Sequence, residues 1–169
     1  MPIETEVKIE IDRQKKFEEI YQAIGSPNWS VQRNYIFCFG KSILRLRHEG
    51  LTGKACLTVK GEDQGQDFNE RPEFECEIPE ALFIGFVKIR GTKKEPIYYE
   101  KSRASARFMD CQVCLDRFFG IEYFEIEGTQ ERIRRIVSKF ELKDFPVERR
   151  SYTQLLVEME AMRHQCEIK

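Results

Sequence analysis

The stretch Ile3-Glu4-Thr5-Glu6-Val7-Lys8-Ile9-Glu10-Ile11 alternates between apolar and polar side chains. A period of two residues is typical of a β-strand whose two faces meet different surroundings. Glu4, Glu6 and Lys8 therefore share one face of the predicted strand, and Val7 and Ile9 share the other. This strand predicts a sheet with a charged face and an apolar face.

Further segments of the chain have strand character and follow each other closely. They are residues 34–39, 43–48, 56–60, 70–78, 97–108, 112–118 and 123–127. Helices are predicted for residues 13–24 with Asp12 as the N-cap, from Pro79 to Gly91, after the cap residue Thr129, and for residues 151–162. The short connections favour antiparallel neighbours, and eight strands can close into a barrel without exposed edges. The predicted class is α+β, an eight-stranded antiparallel β-barrel with helices packed outside, in a single domain over residues 1–169.

Charged residues of like sign recur two positions apart on strand after strand. The acidic pairs are Glu4 with Glu6, Glu73 with Glu75, and Glu125 with Glu127; the basic residues are Lys8, Arg45 with Arg47, Lys101 with Arg103, and Lys60. Periodicity alone leaves open a solvated sheet face with cross-strand ion pairs. Clustered like charges, however, need an opposing group to neutralise them. A triphosphate with Mg²⁺ or Mn²⁺ would do so, because carboxylates bind hard cations and arginine and lysine bind phosphate oxygens.

An ordered set of motifs resembles the CYTH superfamily, the triphosphate tunnel metalloenzymes. The motif ExExK is present as Glu4-Thr5-Glu6-Val7-Lys8, and the set continues in order to Ser151-Tyr152. Between them lie Leu44-Arg45-Leu46-Arg47, Leu57-Thr58-Val59-Lys60-Gly61, Arg71-Pro72-Glu73-Phe74-Glu75, Lys101-Ser102-Arg103, Leu115-Asp116 and Phe124-Glu125-Ile126-Glu127. The resemblance spans residues 3–156. It implies a tunnel with the charged faces turned inward.

The resemblance also implies roles for these residues. Catalysis would rest on Glu4, Glu6 and Lys8, and the metal ligands would be Glu4, Glu6, Asp116, Glu125 and Glu127. The triphosphate would be held by Lys8, Arg45, Arg47, Lys60, Lys101 and Arg103, while Glu73 and Glu75 would support the tunnel. The implied partner is a small-molecule triphosphate, with no nucleic acid and no membrane, in a monomer or homodimer. Cys38 stands where many members have Asp, which leaves the organic part of the substrate open.

Three functions are compatible with these motifs. The first is hydrolysis of inorganic triphosphate, thiamine triphosphate or a nucleotide. The second is the class IV adenylyl cyclase reaction, in which a ribose hydroxyl takes the place of water. The third is a non-catalytic module that binds polyphosphate or nucleotide. The motif Gln32-x-Asn34 favours the first, and no GxxxxGK[ST] loop is present.

Composition excludes other classes. Formal net charge is -1, although 34% of the 169 residues are charged, so the basic excess of a typical nucleic-acid binder is missing. Glu4 and Glu6 stand where a secretion signal would be basic and then apolar, which predicts a cytoplasmic protein. Cys111 and Cys114 form a CxxC motif, but residues three apart on a strand point to opposite faces, so no zinc site is expected.

Overall fold

The computed structural model describes residues 3–88 and 96–167, with side chains in the last helix described as far as residue 161. The strands are β1 (Ile3–Glu10), β2 (Trp29–Phe39), β3 (Ser42–Glu49), β4 (Ala55–Lys60), β5 (Asn69–Ile78), β6 (Ile97–Phe108), β7 (Cys111–Phe118) and β8 (Ile121–Glu127). The helices are α1 (Gln14–Ala23), α2 (Glu80–Lys88), α3 (Gln130–Lys139) and α4 (Tyr152–Glu167).

The eight strands close into one antiparallel barrel in the order β1-β5-β4-β3-β2-β6-β7-β8. Every neighbouring pair is antiparallel, including β1 with β8, which completes the ring. Closure gives each strand a hydrogen-bonded partner on both sides, so the ring has no free edge. The predicted class, an α+β fold with an eight-stranded antiparallel barrel, is confirmed.

The main hydrophobic core lies between the outside of the barrel and the helices. Val7 and Ile9 of β1 point outward and pack with Phe124 and Ile126 of β8. Helices α1 and α3 cover this surface and contribute Phe17, Ile20, Ile133 and Ile136 to the same cluster. Because side chains alternate along a strand, burying this face against helices turns the charged face into the barrel.

Some element boundaries differ from the prediction. Arg13, and not Asp12, occupies the N-cap position of α1, and no side chain caps that helix. Strand β2 begins at Trp29, ahead of the predicted residue 34, because Trp29 stacks on Phe17 and Tyr21 and pairs with Ala104 of β6. The earlier start of β2 thus reflects tertiary contacts that a local pattern does not contain.

Other local predictions are confirmed. The Thr129 side chain accepts a hydrogen bond from the Arg132 backbone N–H at 3.4 Å, so Thr129 is the cap of α3. The carbonyl of Pro79 accepts the first bonds of α2, whereas the predicted end of that helix at Gly91 lies outside the described residues.

Cys111 packs in the outer core and Cys114 lines the barrel interior, and the five cysteines with described side chains are free thiols. Among the described residues, no helix has the length and apolar character needed to cross a bilayer.

Candidate functional site

The barrel encloses a cavity of about 500 Å³ that receives side chains from all eight strands and from the start of α4. Among the described residues of its lining, the negative and positive charges are equal in number. Seven carboxylates face seven cations: Glu4, Glu6, Glu49, Glu73, Glu75, Glu125 and Glu127 with Lys8, Arg45, Arg47, Lys60, Arg71, Lys101 and Arg103. All residues predicted for the site line this cavity except Asp116, which is fully buried.

One group of ion pairs joins β1, β4 and β5. Lys60 Nζ lies 3.2 Å from Glu4 and 2.5 Å from Glu73, and Arg71 Nη2 lies 2.6 Å from Glu6. Burial and a hydrogen bond with Glu73 raise the pKa of Glu4, against the opposing charge of Lys60. The pKa of Glu73 is lowered, in contrast, because Glu4, Lys60 and Arg45 together outweigh the effect of burial.

A second group joins β3, β4 and β5. Arg45 Nη2 lies 3.1 Å from Glu75 Oε2, and the Thr58 hydroxyl donates to the same oxygen at 2.6 Å. Arg47 lies 3.7 Å from Glu75, but its buried Nε has no hydrogen-bond partner. Burial and the nearby Arg45 lower the pKa of Arg47. Arg47 is thus a desolvated cation whose hydrogen-bonding capacity is not fully used.

The third group surrounds Asp116 of β7, which has no exposed surface. Asp116 accepts from Arg103 Nε at 2.6 Å, from Lys101 Nζ at 2.8 Å and from the Tyr152 hydroxyl at 2.6 Å. Burial alone would raise the pKa of Asp116, but Arg103 and Lys101 lower it. Asp116 was predicted as a metal ligand; in this structure its oxygens accept hydrogen bonds from three protein donors and have no exposed surface.

Arg103 and Lys101 bond Asp116 and also line the cavity, so their positive charges face it. Arg103 also donates to Glu125, whose pKa is well below its usual range because Arg103, Lys101 and Lys8 outweigh the effect of burial. Burial, with Arg103 nearby, lowers the pKa of Lys101 to about 8. Lys101 therefore holds its proton only weakly for a lysine.

Glu127 differs from the other carboxylates of the lining. No basic side chain among the described residues forms an ion pair with it, and Glu6 lies directly opposite in the β1–β8 register. Burial raises the pKa of Glu127, and the nearby charges of Glu4 and Glu6 raise it further. Among the described side chains, none therefore neutralises the Glu127 carboxylate by direct contact.

No ready-made cage is formed there, since the described side chains contain no group of three or more His, Cys, Asp or Glu arranged to hold a metal ion. The chemistry of Glu4, Glu6 and Glu127 nevertheless fits a hard divalent cation, because all three are carboxylates on adjoining strands and their mutual repulsion is relieved by positive charge.

Glu49, Arg71 and Tyr152 line the cavity but were not assigned a role from sequence. Arg71 belongs to the quoted RxExE motif, and its spacing of two from Glu73 already placed it on the inward face. Tyr152 begins α4 and reaches Asp116 from 36 positions along the chain. No local pattern indicates that contact.

No protein-family model matches the sequence, and no curated protein matches it significantly. Solved structures do match. A conserved hypothetical protein from Pyrococcus furiosus is 24% identical, with a TM-score of 0.73 over 90% of this chain and 99% of that one. HpAC1 from Hippeastrum, provisionally assigned as an adenylyl cyclase and found to have a dominant triphosphatase activity, is 18% identical, with a TM-score of 0.66 over 88% of this chain and 91% of that one.

A chain of the Schizosaccharomyces pombe Mediator head module also has this fold, at 8% identity and a TM-score of 0.57 over 86% of this chain and 98% of that one. The likeness to these structures establishes the fold. The eight-stranded antiparallel barrel that the sequence resemblance implied is thereby confirmed as the fold. A shared fold does not by itself establish an activity.

Proposed function

We propose that this protein hydrolyses a triphosphate inside the barrel with the help of a divalent metal ion, and that inorganic triphosphate is its preferred substrate. The observation that carries the proposal is the balanced lining of seven carboxylates and seven cations. Such a lining is neutral when empty, with most charges paired to one another. It offers binding groups for phosphate and for metal within one cavity.

The balance also indicates how a ligand binds. A triphosphate carries about four negative charges near neutral pH, so it cannot enter a neutral, partly desolvated cavity without positive charge. Divalent cations entering with it would supply that charge. Arg45 and Lys60 would then exchange Glu75 and Glu73 for phosphate oxygens, and the released carboxylates would be compensated by the metal.

Glu127, Glu6 and Glu4 are the residues we propose to hold Mg²⁺ or Mn²⁺. A bound metal would polarise phosphate oxygens and lower the pKa of a water molecule. The protein's own cations would bind the phosphate oxygens and hold the phosphate chain in line. Lys8 and Arg103 are placed for this role because both line the cavity beside Glu125.

The lining favours hydrolysis of inorganic triphosphate over cyclisation of a nucleotide. A cyclase must hold a base and place the ribose hydroxyl within about 3.5 Å of the reacting phosphorus. Among the described residues of the lining, the only aromatic rings belong to Tyr99 and Tyr152. Both are buried and pack against other rings, so neither offers an open face for a base. The triphosphatase activity of HpAC1 is a precedent on the same fold.

A substrate panel tests this proposal. Purified protein is incubated with inorganic triphosphate, thiamine triphosphate or ATP, each with Mg²⁺ or Mn²⁺, and orthophosphate and cyclic AMP are measured separately. We expect orthophosphate, released fastest from inorganic triphosphate. Cyclic AMP with pyrophosphate as the main products of ATP would instead establish a cyclase, and tight binding without turnover would establish a binding module.

The pKa of Lys101 predicts a pH dependence. Lysine is charged below its pKa, so Lys101 loses its charge as the pH rises through about 8, and the cavity then holds one cation fewer. We expect the KM for inorganic triphosphate to rise above this pH. In Lys101→Arg the side chain stays charged, since the pKa of arginine is above about 12, and the rise should be smaller. Equal increases of KM in both proteins would contradict this role of Lys101.

A further inference from the structure

Tyr152, the first residue of α4, is the point where this helix enters the barrel. Its hydroxyl donates to Asp116 Oδ2 at 2.6 Å. Lys101 Nζ lies 3.9 Å from the centre of its ring, and Lys8 Nζ lies 4.3 Å from it. One side chain thus contacts two cations of the lining directly and, through Asp116, a third, Arg103.

Packing fixes the orientation of the Tyr152 ring. It makes edge contacts with Phe118, with centroids 5.0 Å apart, and with Tyr123, with centroids 5.7 Å apart. Tyr99 packs on it at 6.2 Å. A ring held on several sides cannot change rotamer without disturbing its neighbours. The positions of the two lysine ammonium groups over its face are therefore set by the fold.

The contacts of the lysines and of Asp116 show why such a support is needed. Buried ammonium groups on flexible stems lose conformational freedom when they are held in one place. Lys8 Nζ also donates a hydrogen bond to the backbone carbonyl of Arg150, two residues before Tyr152 in the chain. Asp116 accepts from Lys101 and Arg103, and the Tyr152 hydroxyl fixes the orientation of that carboxylate.

We propose that Tyr152 is a positioning residue for the triphosphate, which aligns Lys8, Lys101 and Arg103 through its ring and its hydroxyl. The inference rests on the proposed function, because the three cations are taken to bind phosphate. It assigns to α4 a part in substrate affinity beyond its part in the hydrophobic core. The hydroxyl and the ring contribute separately, so they can be tested separately.

The test compares Tyr152→Phe and Tyr152→Leu with the wild-type protein in steady-state hydrolysis of inorganic triphosphate. Tyr152→Phe keeps the ring and removes one hydrogen bond to a charged acceptor, which predicts an increase in KM of about tenfold. Tyr152→Leu also removes the cation–π contacts, which predicts a further increase of about fivefold. The cations hold phosphate in the ground state as well as in the transition state, so kcat should stay within about twofold.

Leu155→Ala is the matched control. Leu155 is buried in the same helix and the same cluster as Tyr152. This variant loses stability, and a smaller folded fraction lowers the apparent kcat without changing KM. An unchanged KM in Tyr152→Phe, or a loss confined to kcat as in Leu155→Ala, would overturn the positioning role.

Calorimetric titration with inorganic triphosphate and Mg²⁺ separates this inference from the proposed function. If the wild-type protein binds triphosphate without releasing phosphate, the proposed function fails. The positioning role is then upheld by a Kd about tenfold weaker in Tyr152→Phe and overturned by equal Kd values. Absence of binding to the wild-type protein would overturn both.

Discussion

We expect Glu127→Gln to lower the rate of phosphate release by at least about 100-fold, the scale seen when a metal ligand or its immediate support is lost. Glu127 lines the cavity without an ion pair among the described residues and faces Glu6 across the β1–β8 register. Glutamine keeps the shape and removes the charge, so the affinity for the metal falls. The measurement is kcat/KM over a series of Mg²⁺ concentrations.

The fold should survive this change. Burial, Glu4 and Glu6 all raise the pKa of Glu127, so its negative charge is unfavourable in the metal-free protein. The unfolding temperature without metal should therefore be equal or higher in Glu127→Gln. Glu122→Gln is the matched control on the same strand, because Glu122 points outward and pairs with Arg117. Its activity should stay within about twofold of wild type; a similar loss in both variants would rule out a specific role for Glu127.

We expect Arg103→Leu to lower the free energy of unfolding by about 3–5 kcal/mol, because it leaves buried carboxylates without their main partner. Arg103 bonds both Asp116 and Glu125, and the Asp116 side chain has no exposed surface. For a chain of this size the melting temperature falls by about 2–4 °C per kcal/mol. Urea denaturation at pH 7 gives the free energy directly.

Two comparisons make the result specific. Arg33→Leu removes an arginine from the exposed pair with Glu100, where the loss should stay below about 1 kcal/mol. The double variant Arg103→Leu, Asp116→Asn should recover part of the stability, because one unpaired charge is removed. If Arg103→Leu is no less stable than Arg33→Leu, the buried network does not support the fold.

The pH dependence of this effect follows from Glu125. In the wild-type protein, the pKa of Glu125 is held well below its usual range. The stability that Glu125 contributes is therefore complete above its pKa in the unfolded chain, and it is lost as the pH falls through its pKa in the folded protein. Without Arg103, the largest charge that lowers this pKa is lost, so the pKa of Glu125 should rise toward its usual range. The stability difference between the two proteins should therefore shrink as the pH falls below about 4.

The inward faces of the strands could be predicted from the sequence because a closed barrel has only two faces. Once Val7 and Ile9 are assigned to the outer core, Glu4, Glu6 and Lys8 must point inward. The same reasoning placed Arg45, Arg47, Glu125 and Glu127 on the cavity wall, where the structure has them. It would also have placed Arg71, which follows the same spacing.

Pairing within the cavity could not be predicted in this way. Asp116 has inward parity, yet it has no exposed surface because Arg103, Lys101 and Tyr152 cover it and donate hydrogen bonds to it. Which cation meets which carboxylate depends on the register between strands and on the entry of α4. These are long-range consequences of folding, and the alternation of one strand does not contain them.

Orthophosphate release from inorganic triphosphate by the purified wild-type protein, before and after EDTA, tests the proposed metal-dependent hydrolysis most directly. We expect release with Mg²⁺ or Mn²⁺, loss of release in EDTA, and recovery when excess metal is restored, since the proposed metal site is built from carboxylates. Release that continues undiminished in EDTA would contradict the proposed requirement for a divalent metal ion. Absence of release under every metal condition would contradict the triphosphatase itself.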